Sequence, residues 1–93
     1  MKVINTLLEE AFNGVATEHK GNHGFVRVES RNMIVFYYYL GRICTVDLST
    51  QTFKLNHCGY HSSATTRTLN AYRDELTARG FTCSRASNRP LVY

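Results

Sequence analysis

The stretch Phe25–Asn56, FVRVESRNMIVFYYYLGRICTVDLSTQTFKLN, decides the fold. Phe25–Glu29 alternates Val26 and Val28 with Arg27 and Glu29, the period of two that a pleated strand imposes. Ser30–Asn32 reads as a turn. Met33–Tyr39 then forms the longest strand, apolar on both sides: Ile34, Phe36 and Tyr38 alternate with Met33, Val35, Tyr37 and Tyr39. That pattern predicts a central strand covered on both faces. Leu40 and Gly41 turn the chain into a third strand, Arg42–Leu48, and Ser49–Gln51 leads to a fourth, Thr52–Asn56, with Phe53 and Leu55 inward. Connections this short favour an antiparallel meander, because a parallel crossover needs a dozen or more residues.

Working outward, the period lengthens on both sides of the meander. In the first segment, Val3–Asn13, Ile4, Leu7, Leu8, Ala11 and Val15 recur three and four apart, with Glu9 and Glu10 on the other side and Gly14 placed to terminate a helix. Thr17–Gly24 is polar and contains Gly21, Asn22 and Gly24, the composition of a loop. After the meander, Ser63 is placed to cap a second helix, whose stripe is Leu69, Tyr72 and Leu76 and whose end is Gly80. Glu75 precedes Arg79 by four, a favourable pair. Phe81–Arg85 and Leu91–Tyr93 read as a closing hairpin around Ser87, Asn88 and Pro90. The predicted fold class is α+β: a single small domain over residues 1–93 with an N-terminal helix, an antiparallel four-stranded meander, a second helix and a C-terminal β-hairpin.

Composition narrows the functional classes. With 43% hydrophobic and 19% charged residues the chain has the makeup of a globular domain, not of a disordered or fibrous one. No apolar run approaches the roughly 18 residues of a membrane helix, and Glu9 and Glu10 interrupt what would be a signal-peptide core, so a soluble cytoplasmic protein without a membrane partner is expected. The formal charge of +4 is uneven: residues 1–30 carry three bases and four acids, residues 31–60 three and one, and residues 61–93 five and two. The excess rests on Arg67, Arg73, Arg79, Arg85 and Arg89, with no adjacent bases. Such a distribution suits either phosphate binding or a solvated surface. Cys44, Cys58 and Cys83 are odd in number and lack CxxC spacing, which argues against a disulfide framework and a zinc ribbon.

Catalytic and metal chemistry finds little support in the spacing. His57, Cys58 and His61 combine ligand types, but Gly59 interrupts them and the helix starts later, so no helical face presents the two imidazoles together. Adjacent side chains of an extended segment point opposite ways, which makes His57 a poor base for Cys58. Glu9 and Glu10 are helical neighbours facing different directions. The expectation is therefore a non-enzymatic protein with no cofactor and no metal.

Binding features are stronger. Tyr37 and Tyr39 share one face of the tyrosine strand and Phe36 and Tyr38 the other; two helices covering the sheet leave most of these rings core or half-buried, whereas both helices on one face would leave exposed tyrosines on the other, to serve a protein interface or stack bases. Thr65, Thr66 and Arg67 occupy the first turn of the second helix, and Arg67, Asn70 and Asp74 line one polar face. First-turn N–H groups beside an arginine suit a phosphate; equally, the threonines satisfy orphan donors and Asn70 holds the preceding loop.

Leu55–Tyr72, LNHCGYHSSATTRTLNAY, resembles a motif of small phage-encoded proteins in which a glycine–aromatic turn leads into S/T-x-T-T-R/K and then a hydrophobic–Asn pair. Gly59, Tyr60, Ser63, Thr65, Thr66, Arg67, Leu69 and Asn70 match it, and the similarity extends over roughly residues 42–93. The resemblance implies a viral accessory protein that binds host machinery, a class that includes anti-CRISPR and other anti-defence inhibitors. The expected partner is a host protein or ribonucleoprotein complex in the host cytoplasm, met through Tyr37, Tyr39, Arg67, Asn70 and Arg73. The alternative is a small basic nucleic-acid-binding module.

Overall fold

The structure is a computed structural model that describes residues 2–57, 59 and 62–84. An N-terminal helix, α1 (Lys2–Phe12), is followed by strands β1 (Thr17–Lys20) and β2 (His23–Val28), a 3₁₀ turn (Glu29–Arg31), and strands β3 (Met33–Tyr38), β4 (Gly41–Asp47) and β5 (Thr52–Leu55). Helix α2 (Ser63–Ala78) and the short strand β6 (Thr82–Cys83) complete the described order. The six strands form one sheet in sequence order, antiparallel from β1 to β5, with β6 parallel to β5. The α+β class and the antiparallel meander expected from the sequence are both present.

Helix α1 buries Ile4, Leu7, Leu8 and Ala11 as expected and Gly14, at φ 95°, ends it, but Val15 lies beyond that end and is exposed, not part of the buried stripe. Val15 N–H donates to the Glu10 carbonyl at 3.1 Å and Gly14 N–H to that of Ala11 at 3.3 Å, which satisfies carbonyls that a helix end leaves open. The Arg27 guanidinium also donates to the Ala11 carbonyl, placing a cation at the negative end of the helix dipole. Helix α2 ends the same way, with Phe81 N–H on the Leu76 carbonyl and Gly80 N–H on that of Thr77, at 3.0 and 3.1 Å. Its stripe of Leu69, Tyr72 and Leu76 is buried and its Glu75–Arg79 pair closes at 3.0 Å. The cap, however, is Ser62 and not Ser63: the Ser62 hydroxyl accepts from Thr65 N–H at 3.2 Å, and Ser63 is the first helical residue.

Three further expectations need correction. Thr17–Gly24 is not a loop but the hairpin of β1 and β2, turned by Gly21 and Asn22. It is polar because β1 is an edge strand, where charged side chains discourage pairing with another chain. Next, the strand of the C-terminal segment joins the main sheet. Thr82 N–H donates to the Gln51 carbonyl and Ser84 N–H to that of Phe53, so β6 runs parallel to β5 after a crossover through α2. Among the described residues the sheet thus has six strands where a four-stranded meander was expected; Leu91–Tyr93, the second strand of the expected hairpin, lie outside the described residues. Finally, among the described residues β3 is not covered by helices on both faces. The residues that meet α1 and α2 in the core are Phe25, Ile34, Phe36, Cys44, Val46 and Phe53, all on one side of the sheet by register.

Among the described residues, both helices pack on that side alone. On the other, Val35 is fully buried between its cross-strand neighbours Val26 and Thr45. A bulge at Phe36 and Tyr37 shifts the pairing of β3 with β4 by one residue, so Ile43 and Cys44, consecutive in sequence, both enter the core. The Phe36 ring stands between those of Phe25 and Tyr72, at 5.7 and 4.9 Å. No helix among the described residues is long and apolar enough to cross a membrane.

Candidate functional site

At one end of the sheet the β1–β2 and β3–β4 turns lie side by side, joined by Tyr39 N–H donating to the Asn22 carbonyl at 2.7 Å. The ring of His23, first residue of β2, stacks on Tyr38, last residue of β3, at 4.9 Å, and Tyr39 meets Tyr38 edge-on at 4.7 Å. Burial lowers the His23 pKa below the ordinary histidine value, because desolvation disfavours the imidazolium. Its Nδ1 is buried without a hydrogen-bond partner among the described residues.

Two consequences follow for the tyrosine run. Tyr37 stands on the sheet face away from the helices, half-buried and opposite Arg42. Tyr39 does not share that face: the strand ends at Tyr38, and Tyr39 turns the chain at φ 57°, a left-handed conformation that costs a bulky residue about 1–2 kcal/mol. Leu40, beside it, is 93% exposed and Tyr39 54% exposed.

The start of α2 faces this turn. Tyr38, Tyr39 and Leu40 on one side and Ser62, Ala64 and Thr65 on the other line a cleft of about 650 Å³. Its polar groups are already engaged, since the Ser62 hydroxyl caps the helix and lies 3.1 Å from the Thr65 hydroxyl. Thr65 and Thr68 are buried, and the Thr68 hydroxyl donates to the Ala64 carbonyl at 2.9 Å. The threonines of the TTR segment therefore divide: Thr65 closes the helix start while Thr66 faces outward.

Around the helix from the cleft, Ser63, Thr66, Arg67 and Asn70 line a shallow groove of about 440 Å³. The Asn70 side-chain oxygen accepts from Arg73 at 3.0 Å. The Asn70 amide oxygen is thus engaged within its own helix, and the contact holds the Arg73 guanidinium along the exposed side of α2. Of the five residues singled out in the sequence, the structure brings Arg67, Asn70 and Arg73 together on α2 and sets Tyr39 near the start of that helix. Tyr37 is on the far side of the sheet.

Sequence reasoning missed Leu40 and the His23–Tyr38 stack. Leu40 was legible as an apolar residue in a two-residue turn, a position where polar residues and glycine prevail; His23 had no signal because its strand was read as loop. Cys58, Tyr60 and His61 lie outside the described residues. Among the described residues, no three His, Cys, Asp or Glu side chains are grouped to hold a metal ion. Burial, with Cys83 nearby, pushes the Cys44 thiol well above its ordinary pKa, the reverse of what a nucleophilic thiolate requires. No protein-family model, curated protein or solved structure matches the chain.

Proposed function

We propose that the protein is a non-enzymatic binding protein that occupies a surface on a host protein complex, with the Tyr39–Leu40 turn as its anchor and Arg67, Asn70 and Arg73 as the flanking polar contacts. The observation that carries this reading is the turn itself. It holds a tyrosine in a left-handed conformation and a leucine almost wholly in solvent, beside an apolar cleft. Folding gains little on balance from that arrangement, because the left-handed backbone and the exposed leucine offset the Tyr38 ring contact, whereas an interface gains an apolar knob next to a recess, bordered by arginines of the kind enriched at binding hot spots. The similarity of Leu55–Tyr72 to phage-encoded proteins directs the proposal to a bacterial host complex, including one of bacterial defence, and to the host cytoplasm.

The test is capture from nuclease-treated bacterial lysate by the immobilised native protein and by a Tyr39→Gly, Leu40→Asn variant. A protein retained by the first and lost by the second supports the reading. Failure to retain any protein in a turn-dependent way overturns it.

A further inference from the structure

The sheet face away from the helices carries a second set of side chains that the turn and α2 do not use. Register places His19 of β1 beside Gly24 of β2, Gly24 beside Tyr37 of β3, and Tyr37 beside Arg42 of β4. Gly24 is required there: a Cβ would stand 2.9 Å from the Glu18 carbonyl oxygen and 3.2 Å from His19 Nδ1. Its missing side chain lets the His19 imidazole lie over β2, on the same face as Tyr37. The result is an imidazole, a phenol ring and a guanidinium in one row across four strands.

The neighbouring row contains Thr45 and, across from it, Lys54. Thr45 is 5% exposed and its hydroxyl is buried with no hydrogen-bond partner among the described residues. It lines a dent of about 70 Å³ with Met33, Asp47 and Lys54. A buried hydroxyl without a partner is uncommon and destabilising, and an incoming acceptor would relieve it. The one carboxylate at the dent is occupied: Asp47 Oδ1 accepts from Ser49 and Thr50 N–H at 2.9 and 3.3 Å. Lys54 is exposed and is engaged by none of the ion pairs among the described residues. This surface is therefore basic and aromatic, with an unsatisfied donor in its middle.

We propose that this face binds single-stranded nucleic acid, with a base stacked on Tyr37 beside His19, phosphates near Arg42 and Lys54, and an oxygen of the strand accepting from the Thr45 hydroxyl. Successive rows lie about 6.6 Å apart along a strand, a step that unstacked neighbouring nucleotides can span. A ring lying between an imidazole and a guanidinium is what the face of a base recognises, in any sequence. A protein partner is instead matched by the knob and cleft at the end of the sheet. The proposal is independent of the one made for that end.

Fluorescence anisotropy with labelled 15-nucleotide oligo(dT) and oligo(U), and with a labelled poly-glutamate peptide as comparison, tests it. Expected are affinity for the oligonucleotides that falls as salt rises, a loss of about tenfold in Tyr37→Ala with retention in Tyr37→Phe, and a salt slope reduced by about one in Lys54→Gln. Thr45→Val weakens binding, and Leu40→Asn leaves it unchanged. No oligonucleotide binding, binding that survives Tyr37→Ala, or loss through Arg67→Ala or Arg73→Ala instead would overturn the assignment. Preferential binding of poly-glutamate through the same residues would overturn it in favour of an acidic protein partner. A cooperative thermal unfolding curve for Tyr37→Ala, with its midpoint well above the assay temperature, shows that its effect comes from the lost ring and not from unfolding.

Discussion

Two turns of equal length sit side by side at one end of the sheet and solve the same backbone problem differently. Between β1 and β2, Gly21 takes the positive φ of 64° and Asn22 follows it. Between β3 and β4, Tyr39 takes a φ of 57° and Leu40 follows, 93% exposed. A right-handed strand twist asks for a positive φ in such a turn, which glycine supplies without steric cost. The first turn answers in the chemistry of stability. The second keeps the geometry and puts large apolar side chains where polar ones would serve folding better, which marks it as the element under a different demand.

Exchanging the residues of the two turns separates these demands. The largest effect is expected in binding: the Tyr39→Gly, Leu40→Asn variant, which gives the β3–β4 turn the residues of its neighbour, weakens partner binding about 100-fold, the loss of a hot spot. Titration calorimetry with the captured partner measures it. Next is Gly21→Ala. Nothing lies within 4 Å of the added Cβ, so its cost is conformational, about 1–2 kcal/mol. Urea denaturation reads this as a lower midpoint with unchanged slope. Smaller and opposite in sign, Tyr39→Gly leaves stability unchanged or raises it by up to about 1 kcal/mol, because relief of the left-handed tyrosine is offset by loss of the Tyr38 ring contact. Thermal unfolding resolves that as a melting temperature equal to the native one or a few degrees higher.

The smallest effect is that of pH on the stacked pair joining the turns. The folded-state pKa of His23 is depressed, so the folded chain takes up a proton less readily than the unfolded one. Stability should be fully present above the ordinary histidine value of 6.5 and decline as pH falls through and below it. His23→Phe should flatten the change in urea midpoint between about pH 7.5 and 5.5. An unchanged slope in that variant would show that the stack plays no part in acid sensitivity.

The same contrast explains which parts of the fold were legible. Helix α1 could be read because Ile4, Leu7, Leu8 and Ala11 repeat at helical spacing and Gly14 ends them, each a local signal. The meander could be read from its period of two and its short turns. Strand β1 could not, because Thr17–Lys20 owes its strand state to pairing with β2 and not to any buried stripe of its own. Strand β6 falls within Phe81–Arg85, which reads as a strand, but its parallel place beside β5 was not legible: it is made by hydrogen bonds from Thr82 and Ser84 that no local period announces. The placement of both helices on one face is also non-local. It is decided by the register that aligns Phe25, Phe36, Cys44 and Phe53, and β3 alone, apolar on both sides, does not reveal it.

Of the candidate site, the arginine side of α2 was legible because Arg67, Asn70 and Arg73 follow helical spacing. The relation of Tyr37 to Tyr39 was not. Alternation along a strand predicts a shared face, but it stops where the strand stops, and one residue beyond Tyr38 the turn sends Tyr39 and Leu40 to the end of the molecule.

The central claim is that the β3–β4 turn serves binding at little net gain to folding. The most direct measurement pairs melting temperature with the dissociation constant for the captured partner, comparing the native protein with the Tyr39→Gly, Leu40→Asn variant. The account predicts a melting temperature equal to or above the native value and affinity about 100-fold weaker. A variant that binds as the native protein does, or that melts more than about 5 °C lower, a loss of roughly 1 kcal/mol, would contradict it.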